Sequence, residues 1–438
     1  MTDLAVLYPI ESLWVAHKPA RIGSSSSPRS QEIAGVYSQL SHALFASRRD
    51  FTYVDSQALR EAVVSKGFLA HGVMKWRCVI LPMADTLPMG AWQKLHRFWQ
   101  EGGVVIAAGA RPANSEGRFP DPRVQALADE MFGDGNAPVV KSSVAGGAAV
   151  YLPRGTEALL PFVLDGLFAP DVAVAPGEAS VRYTHRRIDD HDVYFLINDS
   201  GRPQQVSVSL CAEGPGEVWD PATGEMKQVE GPSDIEVKFE PYGGVLLRFA
   251  RASLPERHVL SSGPLPGLET EPLPEVQPRV GKGEFVEGEV KPDRDALGGG
   301  RPAWRAKGVL TKGDVDTFLF LGFNYDRPLD FSGALGLMFD TWAPEGQRTE
   351  ARMFVILDEP GGAQYIAKLS RSLARSGVTR TFVPFSAFDL AGWAQDANGH
   401  LDLSAIKGVA VGWGGYYGTK GEKIEFAVAL PEVVRGTR

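Results

Sequence analysis

Three textures of apolar and polar positions follow one another along the chain. Up to about residue 165, continuous apolar runs alternate with stretches of helical period. "LAVLYP", "RCVILP" and "VVIAAG" are apolar throughout, the pattern of parallel strands covered on both faces, and "FTYVD" is a fourth strand. Between them, "SQEIAGVYSQLSHALFASR" places Ile33, Val36, Tyr37, Leu40, Leu44 and Phe45 on one helical stripe, with Ser30 as its N-cap. "ALREAVVSKG" predicts a short helix, and "MGAWQKLHRFWQEGG" a longer one closed by glycine. Strand–helix alternation of this kind predicts a right-handed, mostly parallel sheet.

From about 166 to 252 the period shortens to two. "SVRYTHRR", "DVYFLIND", "QVSVSLC", "GEVWD", "DIEVKF" and "GGVLLRF" predict a small antiparallel β-sandwich. Residues 253–275 are proline-rich and aperiodic, as in an extended linker. Beyond them, residues 276–438 carry seven or more strand patterns, including "DTFLFLGF", "ARMFVILD", "AQYIAKLS" and "KGVAVGWGG", which fit a jelly roll. The predicted class is therefore multidomain, α/β plus all-β: 1–165 α/β, 166–252 sandwich, 253–275 linker and 276–438 jelly roll.

Composition narrows the function. The 438 residues are 44% hydrophobic and 22% charged with a net charge of −8, which argues against nucleic acid or an anionic membrane as partner. Only two cysteines are present, so no disulfide framework is expected. The first residues lack the basic and apolar regions of a secretory signal, and no apolar run reaches about 18 residues, so the expectation is a cytoplasmic protein or a fragment whose export signal lay elsewhere.

Candidate chemistry is sparse. There is no HExxH, GxSxG, P-loop or CxxC, and no GxGxxG after a strand. Ligands of open α/β sheets bind beyond the strand carboxyl ends, where Glu11, Asp55 and Asp85 fall. The plainer reading makes Glu11 and Ser12 turn or cap residues, with Trp14 packed on the sheet edge. Cys78 begins "CVILP" inside a strand and reads as a core residue, not a nucleophile. The acidic run in "RRIDDHDVYF" reads as a solvated hairpin turn rather than a metal site. In the last segment, aromatic and polar residues crowd around Tyr365, and Trp393, Trp413, Tyr416 and Tyr417 lie in or near predicted loops. An exposed ring there would stack on the C–H face of a sugar, and the competing reading is core packing. Asp316 or Asp340 would serve a structural Ca²⁺ in such a jelly roll, but no ligand spacing supports one, and no cofactor is expected.

"VLYPIESLW", "FTYVDSQAL" and "CVILPMADTLPMGAWQKLHRFWQEGGVVIAAG" resemble a non-catalytic region of large glycoside hydrolases. They are similar to the flavodoxin-like (class I amidotransferase-like) trimerisation domain of β-galactosidases, and closer to the matching region of α-L-rhamnosidase-like enzymes. "HRRIDDHDVYFLINDS" and "VWDPATGEM" resemble the small sandwich that comes next there. "FVPFSAFDLAGW" and "LDLSAIKGVAVGWGGYYG" are similar to galactose-binding-like jelly rolls. In such hydrolases a (β/α)₈ barrel with two catalytic carboxylates precedes these domains, and this chain has no room for its roughly 250 residues. The resemblance therefore implies a non-catalytic accessory protein, its barrel separate, lost or truncated. Such a protein binds an oligo- or polysaccharide through the jelly roll, and a catalytic-barrel chain or itself through the α/β domain. Two alternatives stay open: an active or split glycosidase using strand-end carboxylates, and a purely structural oligomerising protein.

Overall fold

The computed structural model describes residues 3–21, 27–177, 179–250, 254–297 and 301–437. It divides into two compact units, Met1–Pro153 with Leu159–Pro266, and Arg154–Ala158 with Gly267–Arg438.

In the first unit, the fully apolar runs form the strands buried on both faces. Leu4–Leu7, Cys78–Pro82 and Val104–Gly109 are buried along their whole length. Phe51–Val54, Leu4–Leu7, Cys78–Pro82, Val104–Gly109 and Ala148–Pro153 lie side by side in that spatial order, all parallel. Numbered along the chain, this is the order 2-1-3-4-5, whose reversal falls between Leu4–Leu7 and Cys78–Pro82. An antiparallel strand, Val139–Ser142, extends the sheet.

Two helices differ from their sequence patterns. The helix Pro28–Ala46 is capped by Ser27, whose hydroxyl accepts from the Ser30 amide, because Pro28 takes the first helical position and moves the cap upstream. Its Phe45 is exposed, under the guanidinium of Arg182, rather than on the buried stripe. The predicted helix at "ALREAVVSKG" stops at Glu61, and the β-branched Val63 and Val64 enter a short antiparallel meander with Phe68–His71 and Met74–Trp76.

Two antiparallel sheets, one of three strands and one of five, form a sandwich in the same unit. Their core holds Val181, Tyr194, Leu196, Val208, Val237 and Phe249. Where the α/β layer meets this sandwich, polar groups mix with buried apolar ones such as Leu4, Leu164 and Phe168. Arg49 at the end of a helix donates to Asp165 and to the carbonyls of Phe168 and Ala169. His185 lies between Asp171 and Asp192, at 2.9 and 3.2 Å, and stacks on Tyr194 with centroids 4.1 Å apart. Arg187 grips both carboxylate oxygens of Asp192. A cavity of about 40 Å³, room for a water or two, is lined by Asp3, Arg49, Asp50, Asp171, Tyr183 and His185. Burial pushes the carboxyl of Asp50 and the phenol of Tyr183 upward.

The hairpin "RRIDDHDVYF" is thus only partly solvated. Asp189 and Asp190 are exposed in the turn, whereas Asp192 is wholly buried, because strand alternation turns it to the face that carries His185 and Arg187.

The second unit packs a seven-stranded sheet on a six-stranded one, both antiparallel. Between them lie Trp304, Phe339 and Phe426 from one sheet and Leu319, Phe323, Val355 and Trp413 from the other. The segment 253–275, expected to be a linker, is tied down by pairing, and its first residue lies outside the described residues. Gly263–Pro264 extends the parallel-sheet unit at Val139–Ser142, and Leu268–Pro272 pairs with Glu432–Gly436 in the second unit. Edge pairing of this kind satisfies backbone groups that a proline-rich sequence otherwise leaves to water.

Replacing Asp192 by Ala leaves Arg187 and His185 buried with one partner fewer, and should cost about 3–5 kcal/mol in urea unfolding. Asp190→Ala, in the exposed turn, should change stability by less than about 0.5 kcal/mol.

Candidate functional site

The six-stranded sheet of the second unit has an inner and an outer face, and strand alternation assigns the residues to them. On Thr317–Leu329, Leu319, Leu321 and Phe323 point to the core, so Phe318, Phe320, Gly322 and Asn324 face outward. On Ile406–Tyr416, Val409, Val411 and Trp413 point inward. The outward positions of that strand are Gly408, Ala410, Gly412 and Gly414, so its outer side is nearly bare backbone. On Arg352–Asp358, Arg352, Phe354, Ile356 and Asp358 face outward, and on Gln364–Ser372, Gln364, Ile366 and Lys368 do.

Register aligns these positions into rows across the sheet. Asn324, Gly408, Asp358 and Gln364 form a polar row. Gly322, Ala410, Ile356 and Ile366 form an apolar one, and Phe320, Gly412, Phe354 and Lys368 the next. The loop from Ala391 to Ala394 folds onto the apolar row, where Ala391 packs with Phe320, Ile356 and Ile366.

That loop presents Trp393, 65% exposed, beside the polar row. Its indole Nε1 donates to Gln364 Oε1 at 2.6 Å, and Gln364 Nε2 donates to Asp358 Oδ1, also at 2.6 Å. The ring is thereby held in place while its faces remain in water. A Cβ placed on Gly408 would lie 2.7 Å from both Asn324 Oδ1 and Asp358 Oδ2, so these two oxygens face one another across the bare backbone. An aromatic platform beside a line of oriented polar side chains matches the amphipathic surface of a pyranose.

Of the five aromatics singled out in the sequence, Trp393 belongs to this site. Tyr365 and Trp413 do not: they are 3% and 0% exposed, because alternation turns both into the sandwich core. Trp413 lies near a predicted loop in sequence, but the glycines around it are the outward positions of a strand. Tyr365 still supports the site from beneath, since its hydroxyl donates to Asp396 Oδ2 at 2.6 Å and anchors the loop that carries Trp393. That hydrogen bond holds the Asp396 carboxyl below the usual carboxylate range. Tyr416 is half-buried, edge-on to Trp413, with its hydroxyl donating to Glu422. Tyr417 is exposed but sits at the far end of the strand from Gly408. Sequence reading missed Asn324, Asp358, Gln364 and Phe354. The small residues recurring at every second position from 408 to 414 are the signal that marks this face.

The carboxylates proposed for the α/β cleft reach the carboxyl edge of the parallel sheet, but each has structural work there. The chain turns into a helix, Ile10–Ala16, directly after the first strand. Ser12 accepts from the Thr86 amide at 3.1 Å and so fills the point where the strand order reverses. Glu11 accepts from the Ser56 hydroxyl, Asp55 caps the helix Ser56–Glu61 through the Ala58 amide, and Asp85 pairs with Arg29 at 2.6 Å. Trp14, expected on the sheet edge, is 69% exposed, because this short helix turns it outward. Cys78 is buried inside its strand, which pushes its thiol upward.

Among the described residues no group of three or more His, Cys, Asp or Glu side chains is placed to hold a metal ion. Asp340, considered for calcium, is buried between Arg301 and Arg380, and Asp316 is exposed before a strand.

A family profile for alpha-L-rhamnosidases of glycoside hydrolase family 106 matches residues 29–231. A protein of Formosa agariphila named "Putative beta-glucuronidase" is 21% identical over 240 residues, 52% of this chain and 19% of that protein. This chain thus spans about a fifth of that relative's length. Among solved structures, a rhamnosidase from Novosphingobium sp. PP1Y aligns with 97% of this chain and 39% of its own, at 12% identity and a TM-score of 0.40. A family 11 carbohydrate-binding module of a cellulosomal cellulase from Clostridium thermocellum aligns with 39% of this chain and 95% of its own, at 16% identity and a TM-score of 0.30.

Bare backbone at the centre of the face is also a packing requirement. A Cβ on Gly412 would collide with the Leu319 carbonyl and lie 2.6 Å from Phe320 Cα. Gly412→Ala should lower stability by about 1–3 kcal/mol, seen as a lower melting temperature. Gly361→Ala, with open space around its Cβ, should leave the melting temperature within a degree or so of wild type.

Proposed function

We propose that this chain is a non-catalytic accessory part of a glycoside hydrolase, gripping carbohydrate through the outer face of the six-stranded sheet. The observation that carries this reading is Trp393, an exposed ring locked by Gln364 beside the unspent oxygens of Asp358 and Asn324. Rings this exposed are costly to leave in water, and a fixed one loses little entropy when it stacks on a sugar. The match of residues 29–231 to a rhamnosidase profile supports the hydrolase connection. The structural work done by Glu11, Asp55 and Asp85 supports a non-catalytic α/β domain.

In this reading residues 1–165 are a flavodoxin-like domain related to the trimerisation domains of β-galactosidases, supported by the strand order 2-1-3-4-5. It docks on a catalytic-barrel chain or on further copies of itself. Residues 166–252 are the small sandwich, and 276–438 are a jelly roll that holds an oligo- or polysaccharide. Residues 253–275 connect the two.

Titration of the full chain against a panel of plant and bacterial oligosaccharides tests the reading. Binding should be found, and Trp393→Ala should weaken it about tenfold or more without lowering the melting temperature. Tyr417→Ala should leave affinity unchanged. No binding to any member, or cleavage of aryl glycosides that Glu11→Gln abolishes, would overturn it.

A further inference from the structure

We infer that the Asn324–Asp358 pair makes this face selective for neutral sugars bearing adjacent hydroxyls, over uronic acids and sulfated sugars. The inference rests on the reading of the polar row as a carbohydrate site.

The chemistry of the row sets the preference. One oxygen of Asp358 is taken by Gln364, and Gln364 is held in turn by Trp393, so the carboxylate is oriented by a donor that is itself fixed. Its other oxygen is left turned toward Gly408, opposite Asn324 Oδ1. Gly408 carries no side chain, so the two oxygens lie over its backbone and bury it between them. An ionised carboxylate only accepts hydrogen bonds, while a carboxamide both donates and accepts. Two neighbouring sugar hydroxyls satisfy this set: one donates to Asp358 Oδ2, and the other exchanges with the Asn324 amide. Trp393 then lies beside the same sugar, offering its ring to the C–H face.

An anionic sugar meets the opposite situation. The row Asn324, Gly408, Asp358 and Gln364 contains no Lys or Arg, so a carboxylate or sulfate placed there faces the Asp358 charge directly. The cations of this face stand off the row: Arg279, on the edge strand, pairs with Gly322, three strands across and two residues along from Asp358, about 16 Å by backbone. Lys368 is four residues along its strand from Gln364, and Arg352 is six along its own from Asp358. At a rise of about 3.3 Å per residue, the nearer of these backbone positions is about 13 Å away. That exceeds the Debye length of about 8 Å at physiological salt, so none of them offsets the repulsion at Asp358.

The test is calorimetric titration of the full chain with neutral oligosaccharides, each paired with its counterpart oxidised to the carboxylate at C6. An α-1,4-linked galactotetraose with tetragalacturonate is one such pair, and cellotetraose with its β-1,4-linked glucuronate counterpart is another. The neutral member should bind about tenfold tighter or more. Asp358→Asn keeps the shape and removes the charge, so the ratio should fall toward one. Asn324→Ala should weaken the neutral member several-fold, with an unchanged melting temperature in both variants. Equal or tighter binding of the acidic member, or a ratio that Asp358→Asn leaves unchanged, overturns the inference while the carbohydrate reading stands. No binding by any member overturns both.

Discussion

The second unit depends on a strand with an extreme asymmetry. Ile406–Tyr416 drives Val409, Val411 and Trp413 into the sandwich core, and on its other side offers only Gly408, Ala410, Gly412 and Gly414. The inward side supplies the burial that holds the sheets together, Trp413 being among the largest fully buried side chains. The outward side has no bulk to keep its neighbours apart, so Phe320 and Phe354 flank Gly412 and a loop settles on the apolar row. Larger residues at those positions would collide with their neighbours, as a Cβ on Gly412 does with the Leu319 carbonyl.

The two units use carboxylates in contrasting ways. In the first unit, Asp171 and Asp192 are committed to His185, Arg187 and Tyr194. Burying a charge is tolerable only when its hydrogen-bonding capacity is spent within the protein, and spent groups have nothing left for a ligand. Asp358 is different: half-buried, with one oxygen used to orient it and the other open. The same residue type is structural in one setting and available in the other, and what distinguishes them is how many partners the fold supplies.

Much of the architecture is legible from local rules. The apolar runs become the doubly covered strands, and the period-two segments become antiparallel sheets. Misreadings cluster where a distant or neighbouring group overrides a local one. Pro28 moves a helix cap to Ser27, β-branched Val63 and Val64 leave a helix for a meander, and Asp192 is drawn from an apparently solvated turn into a buried ion network. The aromatic cluster shows the same limit, since "KGVAVGWGG" reads as a strand but only the neighbouring strands decide that Trp413 faces the core and its glycines face outward.

By itself, then, the sequence determined the element types, the division into an α/β part and β-rich parts, and the presence of aromatic and small residues suited to a sugar-facing surface. Those properties stem from period and side-chain volume, which act over a few neighbouring residues. Tertiary structure alone decided which aromatics face solvent and which carboxylates keep a free oxygen. Asn324, Gly408, Asp358 and Gln364 come from four separate strands, and only the register of the sheet makes them a row. Register is set by how the inner face packs as a whole, so the outer face inherits an order that no single strand encodes.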